Sequence, residues 1–177
     1  MPTEAELRAK RQRSRYARGL RITDANCLVA VKHAAGVLRV EIEALLSQGM
    51  PNSPMAGAQI RVASGNFIAA KPVGVVQGVD YQFTGMVRKV DATAIARRLD
   101  AGEVVLVPHI GYSPTGEVFN LAWEDVAEST ARALKADKLL LTVEQIPVGR
   151  RGQILSELTA REAEALLRKD GLPATVK

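Results

Sequence analysis

Cysteine is all but missing from this sequence: Cys27 stands alone among 177 residues. A single thiol excludes an internal disulfide and a cysteine-built metal cluster, and it fits a reducing cytoplasm. Histidine is nearly as scarce. His33 and His109 lie far apart and form no ligand pair, so no metal site is expected. Aromatic residues make up only 4%, so a core must rest on Leu, Val, Ile and Ala. No apolar run approaches the ~20 residues of a membrane helix, and no charged-then-apolar signal segment opens the chain. Neither a GxxxxGK[ST] run nor a GxGxxG run occurs, so the familiar phosphate-cradling loops are lacking.

What remains is ordinary globular composition, 47% hydrophobic and 24% charged, in a length that suits one domain. The net charge of +5 is concentrated at one end. Between Glu4 and Arg21 there are seven basic and two acidic residues, and beyond them the signs balance. A basic arm can bind nucleic acid. Here Arg8, Lys10, Arg11, Arg13 and Arg15 have only Tyr16 as a stacking partner, so a solvated helix face is expected instead.

Periodicity then sets out the elements. Thr3–Arg13 suits a short helix. Leu28, Val31, Ala35, Leu38, Ile42 and Leu45 step by three and four, which predicts a long helix with one apolar stripe. Thr23 or Asp24 suits its cap, Gly49 its end, and Pro51 stops it. Gln59–Ala63 and Phe67–Lys71 read as strands in a hairpin around Ser64-Gly65-Asn66. Pro72–Gly78 reads as a connection, and Tyr81–Val90 as a strand with a bulge at Gly85. Asp91 suits a helix cap, with Val90 and Ile95 placed as a hydrophobic staple. Val104–Val107 is a buried-strand run, a helix follows from about Trp123 to Lys135, and Lys138–Val143 reads as another strand. Leu158-Thr159-Ala160-Arg161-Glu162 is a capping box before a short final helix.

The stretch Gly111–Asp125 lies where strand passes to helix. In open α/β sheets ligands bind beyond the carboxyl ends of strands, where such loops lie. Gly111 and Gly116 permit bends there, Pro114 stiffens the turn, and Asn120 offers an amide that donates and accepts. The stretch reads either as a ligand loop or as a plain βα connection with an Asn turn.

Five runs in order carry a family resemblance: Arg21-Ile22-Thr23-Asp24, Ser64-Gly65-Asn66-Phe67, Gly78-Val79-Asp80-Tyr81, Gly116-Glu117-Val118-Phe119-Asn120-Leu121 and Leu134-Lys135-Ala136-Asp137-Lys138-Leu139. Together they resemble the amino-acid kinase family, and within it the kinase-like domains of the bacterial N-acetylglutamate synthases. The resemblance implies a three-layer α/β/α fold with a mixed, mainly parallel sheet. Residues 1–177 would form one partial domain that lacks the family's first strands. In the family kinases the Arg of an R-x-T motif holds the substrate's α-carboxylate, and Arg21 matches it. Arg21 equally suits an anchor for the start of the long helix. The kinases' N-x-N-x-D pattern is matched at Asn120 only: Ala122 replaces the second Asn and Glu124 the Asp. The first-strand Lys and Gly have no counterpart.

These departures fit the synthases, whose kinase-like domain is regulatory and binds no ATP. Their acetyl transfer belongs to a separate domain with a [QR]-x-x-G-x-[GA] loop, which Gly149-Arg150-Arg151-Gly152-Gln153 does not match. The resemblance therefore implies no catalytic residue and no cofactor in this chain, acetyl-CoA belonging to the full enzyme. It implies ligands such as L-arginine or L-glutamate near Arg21, Gly111, Gly116 and Asn120. Uncovered apolar faces point to a homo-oligomer, in the cytoplasm, without nucleic-acid or membrane partners. The alternatives are an N-acetylglutamate kinase and a non-catalytic small-molecule binding module.

Overall fold

A computed structural model describes residues 15–49, 52–58, 60–142, 159, 161–162 and 164–165. The expected helix at Thr3–Arg13 lies outside them. The chain divides into two compact units, Met1–Leu139 and Leu140–Lys177. The first carries the fold.

It opens with a hairpin of β1 (Arg15–Ala17) and β2 (Leu20–Ile22), turned at Arg18 and Gly19 with φ of 53° and 79°. Two successive positive φ values give a turn whose twist matches that of the strands. The long helix follows as α1 (Ala25–Gln48), ended by Gly49 at φ 68°. Asp24 caps it: the Cys27 amide donates to Asp24 Oδ1 at 2.8 Å. That bond favours the ionised carboxylate and lowers the Asp24 pKa. Thr23, the other candidate cap, is drawn into the site described below. The apolar stripe is only half used. Leu28 and Val31 are buried, whereas Leu38 and Leu45 are 52% and 70% exposed.

The largest sheet has four strands in the order β10-β9-β4-β7, formed by β4 (Ile68–Pro72), β7 (Gly85–Val90), β9 (Ile110–Tyr112) and β10 (Val118–Asn120). β4 is antiparallel to β7 and parallel to β9, and β9 is antiparallel to β10. A second, parallel pair joins β3 (Val62–Ser64) to β8 (Val104–Leu106). The mixed α/β architecture is the one expected. Helices α2 (Ala92–Asp100) and α3 (Trp123–Leu134) complete it. Asp91 caps α2 through the Ala94 amide, and the staple residues Val90 and Ile95 are both buried. The core gathers Phe67, Ile68, Ala70, Ile95, Phe119, Leu121 and Val126.

Four expectations are corrected. The strands flanking Ser64-Gly65-Asn66 do not form a hairpin: β3 pairs with β8, while β4 pairs with β7 and β9. Pro72–Gly78 is more than a connection. It contains β5 (Val75–Val76), which turns at Gln77 and Gly78 to β6 (Val79–Asp80). Gly85 is not a bulge; the ladder shifts instead between Ala69 and Ala70. Residues 138–142 form no strand, and Leu139, Leu140 and Leu141 are exposed. In the second unit the capping box does form. The Thr159 amide donates to Glu162 Oε2 at 2.8 Å, and the Glu162 amide returns a bond to Thr159 Oγ1 at 3.3 Å.

Candidate functional site

The stretch Gly111–Asp125 is a β-hairpin rather than a loop. β9 and β10 pair around a turn in which Gly116 has φ 86° and the Ser113 amide donates to the Glu117 carbonyl at 2.9 Å. Gly116 thus makes the turn, in an exposed cluster with Ser113, Thr115 and Glu117. Gly111 sits within β9. A Cβ there would lie 2.6 Å from Ala70 Cβ and 2.8 Å from Leu121 Cδ1. Gly85, on β7, would carry a Cβ 3.0 Å from Leu121 Cδ2. The two glycines make room for the Leu121 side chain, and so fix the backbone that carries Asn120. This is a packing role.

Asn120 is buried at the end of β10 and bridges to Thr84. Its Nδ2 donates to Thr23 Oγ1 at 3.0 Å. Thr23 and Thr84 hydroxyls are 3.0 Å apart, and Thr84 Oγ1 donates to the Arg21 carbonyl at 2.5 Å. The Thr23 amide donates to Thr84 Oγ1 at 3.0 Å. One proton assignment satisfies both hydroxyls: Asn120 donates to Thr23, Thr23 to Thr84, and Thr84 to the Arg21 carbonyl. The chain of bonds locks β2 to β10, although 97 residues separate Thr23 from Asn120. Asn120 Oδ1 accepts no bond within this network.

Arg21 leads the network on β2. Its Nε is buried and has no hydrogen-bond partner, and no carboxylate pairs with it among the described residues. An orphaned buried donor costs about 1–3 kcal/mol, more when charged. An anionic ligand accepting from it would remove that penalty. His109, just beyond β8, has its pKa lowered by burial and then by the Arg21 charge. Its backbone carbonyl accepts from the Leu121 amide at 3.0 Å, so it borders the same strand end. Asn120 is thus linked through Thr23 and Thr84 to the Arg21 backbone carbonyl, and the Arg21 charge reaches His109. Gly111 and Gly116 stand apart from the group. Position at the carboxyl end of the Val104–Val107 run was the signal that would have found His109.

The depressed His109 pKa gives a signed prediction. The unfolded chain takes up a proton at about 6.5 before the folded one does. Stability is then full above that pH, falls as pH drops through it, and levels off below the lower folded pKa. His109→Gln should flatten urea-unfolding stability between about pH 7 and pH 5. An unchanged slope would contradict this placement.

A partly buried arginine on β2 and a buried asparagine at the end of β10 thus stand within a mixed α/β fold. The amino acid kinase family matches residues 3–174, and the chain belongs to that family. It is 47% identical to the amino-acid acetyltransferase of Ralstonia nicotianae over 173 residues, covering 97% of this chain and 38% of the relative. It is 49% identical to the enzyme of the same name from Pseudomonas aeruginosa over 169 residues, covering 95% of this chain and 39% of the relative. It thus spans about two fifths of the length of these curated relatives. Among solved structures, N-acetylglutamate synthase from Neisseria gonorrhoeae with coenzyme A and L-arginine superposes at a TM-score of 0.85 and 34% identity, over 95% of this chain and 40% of that one. The same enzyme with coenzyme A and N-acetyl-glutamate gives 0.83 and 34%, over 96% and 38%.

Proposed function

We propose that this chain is the kinase-like, regulatory and assembly part of an N-acetylglutamate synthase. That enzyme moves an acetyl group from acetyl-CoA to L-glutamate at the entry to arginine synthesis. On this reading the chain performs no chemistry. It holds an α-amino acid, L-arginine or an L-glutamate derivative, with Arg21 on the ligand carboxylate and Asn120 on a second polar group. The observation that carries the reading is the buried Arg21 Nε without an acceptor, set beside the Asn120 network. The names of the longer relatives, and the L-arginine and N-acetyl-glutamate in the Neisseria gonorrhoeae structures, support the ligand class. No described helix is long and apolar enough to cross a membrane. Separately, the single Cys27, which can form no internal disulfide, fits a reducing cytoplasm.

Calorimetric titration of L-arginine, L-glutamate and N-acetyl-L-glutamate into the chain tests the site. At least one should bind. Arg21→Ala should weaken it by at least about a hundredfold and Asn120→Ala by at least about tenfold, the cost of buried charged and neutral hydrogen bonds. Unchanged affinity in Arg21→Ala would reduce Arg21 to an anchor for α1.

Assembly is the second part of the proposal. Val29, Val37 and Val40 are 66%, 43% and 56% exposed on one side of α1. Such a row promotes association. Light scattering should report a mass above that of the 19.0 kDa chain. A monomer at high concentration would count against a homo-oligomer.

A further inference from the structure

His109 stands one residue before β9, whose Ile110 is paired with Asn120. Its carbonyl accepts from the Leu121 amide at 3.0 Å, so backbone pairing fixes it beside the end of β10. On the other side of β10, the Asn120 amide donates to the Phe83 carbonyl at 2.9 Å, and the Phe83 amide donates to the Thr23 carbonyl at 3.0 Å. A run of backbone bonds therefore leads from His109 across β10 to the end of β2, the strand that carries Arg21. The His109 ring is half-buried, and among the described residues no hydrogen bond reaches it.

The titratable groups around that ring lack an acid. Arg21 acts on it from β2. The cavity that His109 lines takes Lys32 and Arg39 from α1, Tyr112 from β9 and Lys138 from beyond α3, and no Asp or Glu. Arg39 also reaches Glu43, at 3.5 Å, on the exposed side of α1. His109 thus has no carboxylate among its described neighbours to support an imidazolium. Burial, and then the Arg21 charge, hold its pKa below the ordinary value, so the ring is largely neutral at pH 7. An anion accepting from Arg21 Nε would offset the charge that His109 feels. The imidazole would then take up a proton more readily.

We propose that His109 is the pH-sensing residue of the Arg21 site: when a ligand carboxylate is seated on Arg21, the His109 ring takes up a proton from solvent and becomes a second cation near the ligand. The inference rests on the reading of Arg21 as the carboxylate anchor, and adds to it a direction of pH control. The proton comes from water or buffer and returns there on release. Ligand carboxylates stay ionised down to about pH 5, so they do not produce the effect. Binding is tightest in mild acid, weakens as pH rises through the midpoint of the occupied site, and is level above it. A one-unit difference between the free and occupied midpoints corresponds to about tenfold in affinity.

The test is calorimetric titration of L-arginine, L-glutamate and N-acetyl-L-glutamate at about pH 6.5, near the ordinary histidine pKa. It is run in MES and in imidazole, buffers of small and large ionisation heat. The heat should differ between them in the sense of proton uptake. Affinity should fall at least about threefold from about pH 6 to about pH 7.5. His109→Gln should bind without proton uptake and with one affinity across that range. His33→Gln changes the only other histidine, exposed on α1, and should take up protons as the parent does. In the free chain, the His109 Hε1 resonance should titrate at a higher pH in Arg21→Gln than in the parent. Three results overturn the proposal: a ligand that binds without proton uptake, proton uptake that persists in His109→Gln, or a His109 midpoint unmoved by Arg21→Gln. If none of the three amino acids binds, the reading of Arg21 falls, and this proposal falls with it.

Discussion

Gly111→Val should abolish the native fold or lower its melting temperature more than any other single change considered. Even a Cβ at this position would lie 2.6 Å from Ala70 Cβ and 2.8 Å from Leu121 Cδ1. Neither neighbour has a way out. Ala70 is fully buried on β4 with no side-chain torsion to adjust, and Leu121 is 4% exposed and hemmed in by Gly85 on its other side. Overpacking a tight core costs about 1–3 kcal/mol for a methylene or two. The two further methyls of Val raise that cost against a total stability of only about 5–15 kcal/mol. Gly111→Ala should cost at least about 2 kcal/mol in urea unfolding. Gly36→Ala is the control. Its added Cβ meets nothing within 4 Å in the middle of α1, and better helix propensity should stabilise the chain by about 0.5–1 kcal/mol. If Gly111→Ala unfolds within about 0.5 kcal/mol of the parent, the account of Leu121 and Asn120 packing is wrong.

The elements with local chemistry were legible in the sequence. Asp24 and Asp91 each lie three residues before the amide they cap, and Thr159 and Glu162 reciprocate at the same spacing. Such bonds close within a turn of helix, so residue order reveals them. Gly111 misled because glycine marks two different things, a bend and a close approach of neighbours. Only the approach of β4 decides which applies, and that is a tertiary fact. The buried polar network was half legible for the same reason. Arg21 and Asn120 stand out by type and by resemblance. Thr23 and Thr84 are 61 residues apart, and nothing local says that their hydroxyls meet. The run Lys138–Val143 has strand composition, yet Leu139–Leu141 remain exposed through residue 142. A strand needs an edge to join, which composition does not supply.

The second large effect concerns chemistry. The amino-acid kinase pattern requires polar groups that meet transferred phosphate, and preorganised groups of that kind carry much of an enzyme's rate. Ala122 stands where the pattern has its second Asn. It is the N-cap of α3 and makes no side-chain cap bond, so neither phosphate nor helix gains a polar partner there. Asn120 has one amide N–H committed to Thr23. No glycine loop of phosphate-cradling type is present in the sequence. The chain with Mg-ATP and N-acetyl-L-glutamate should form no acyl phosphate above the uncatalysed background. This is far below the roughly 1–100 per second of working kinases. With acetyl-CoA and L-glutamate it should form no N-acetyl-L-glutamate.

The most direct measurement of the regulatory reading is that pair of assays on the purified 177-residue chain, with product followed by mass spectrometry. The account predicts no product in either mixture from a preparation that still binds its amino acid. ATP-dependent product that disappears in Asn120→Ala would contradict it and make the chain a kinase.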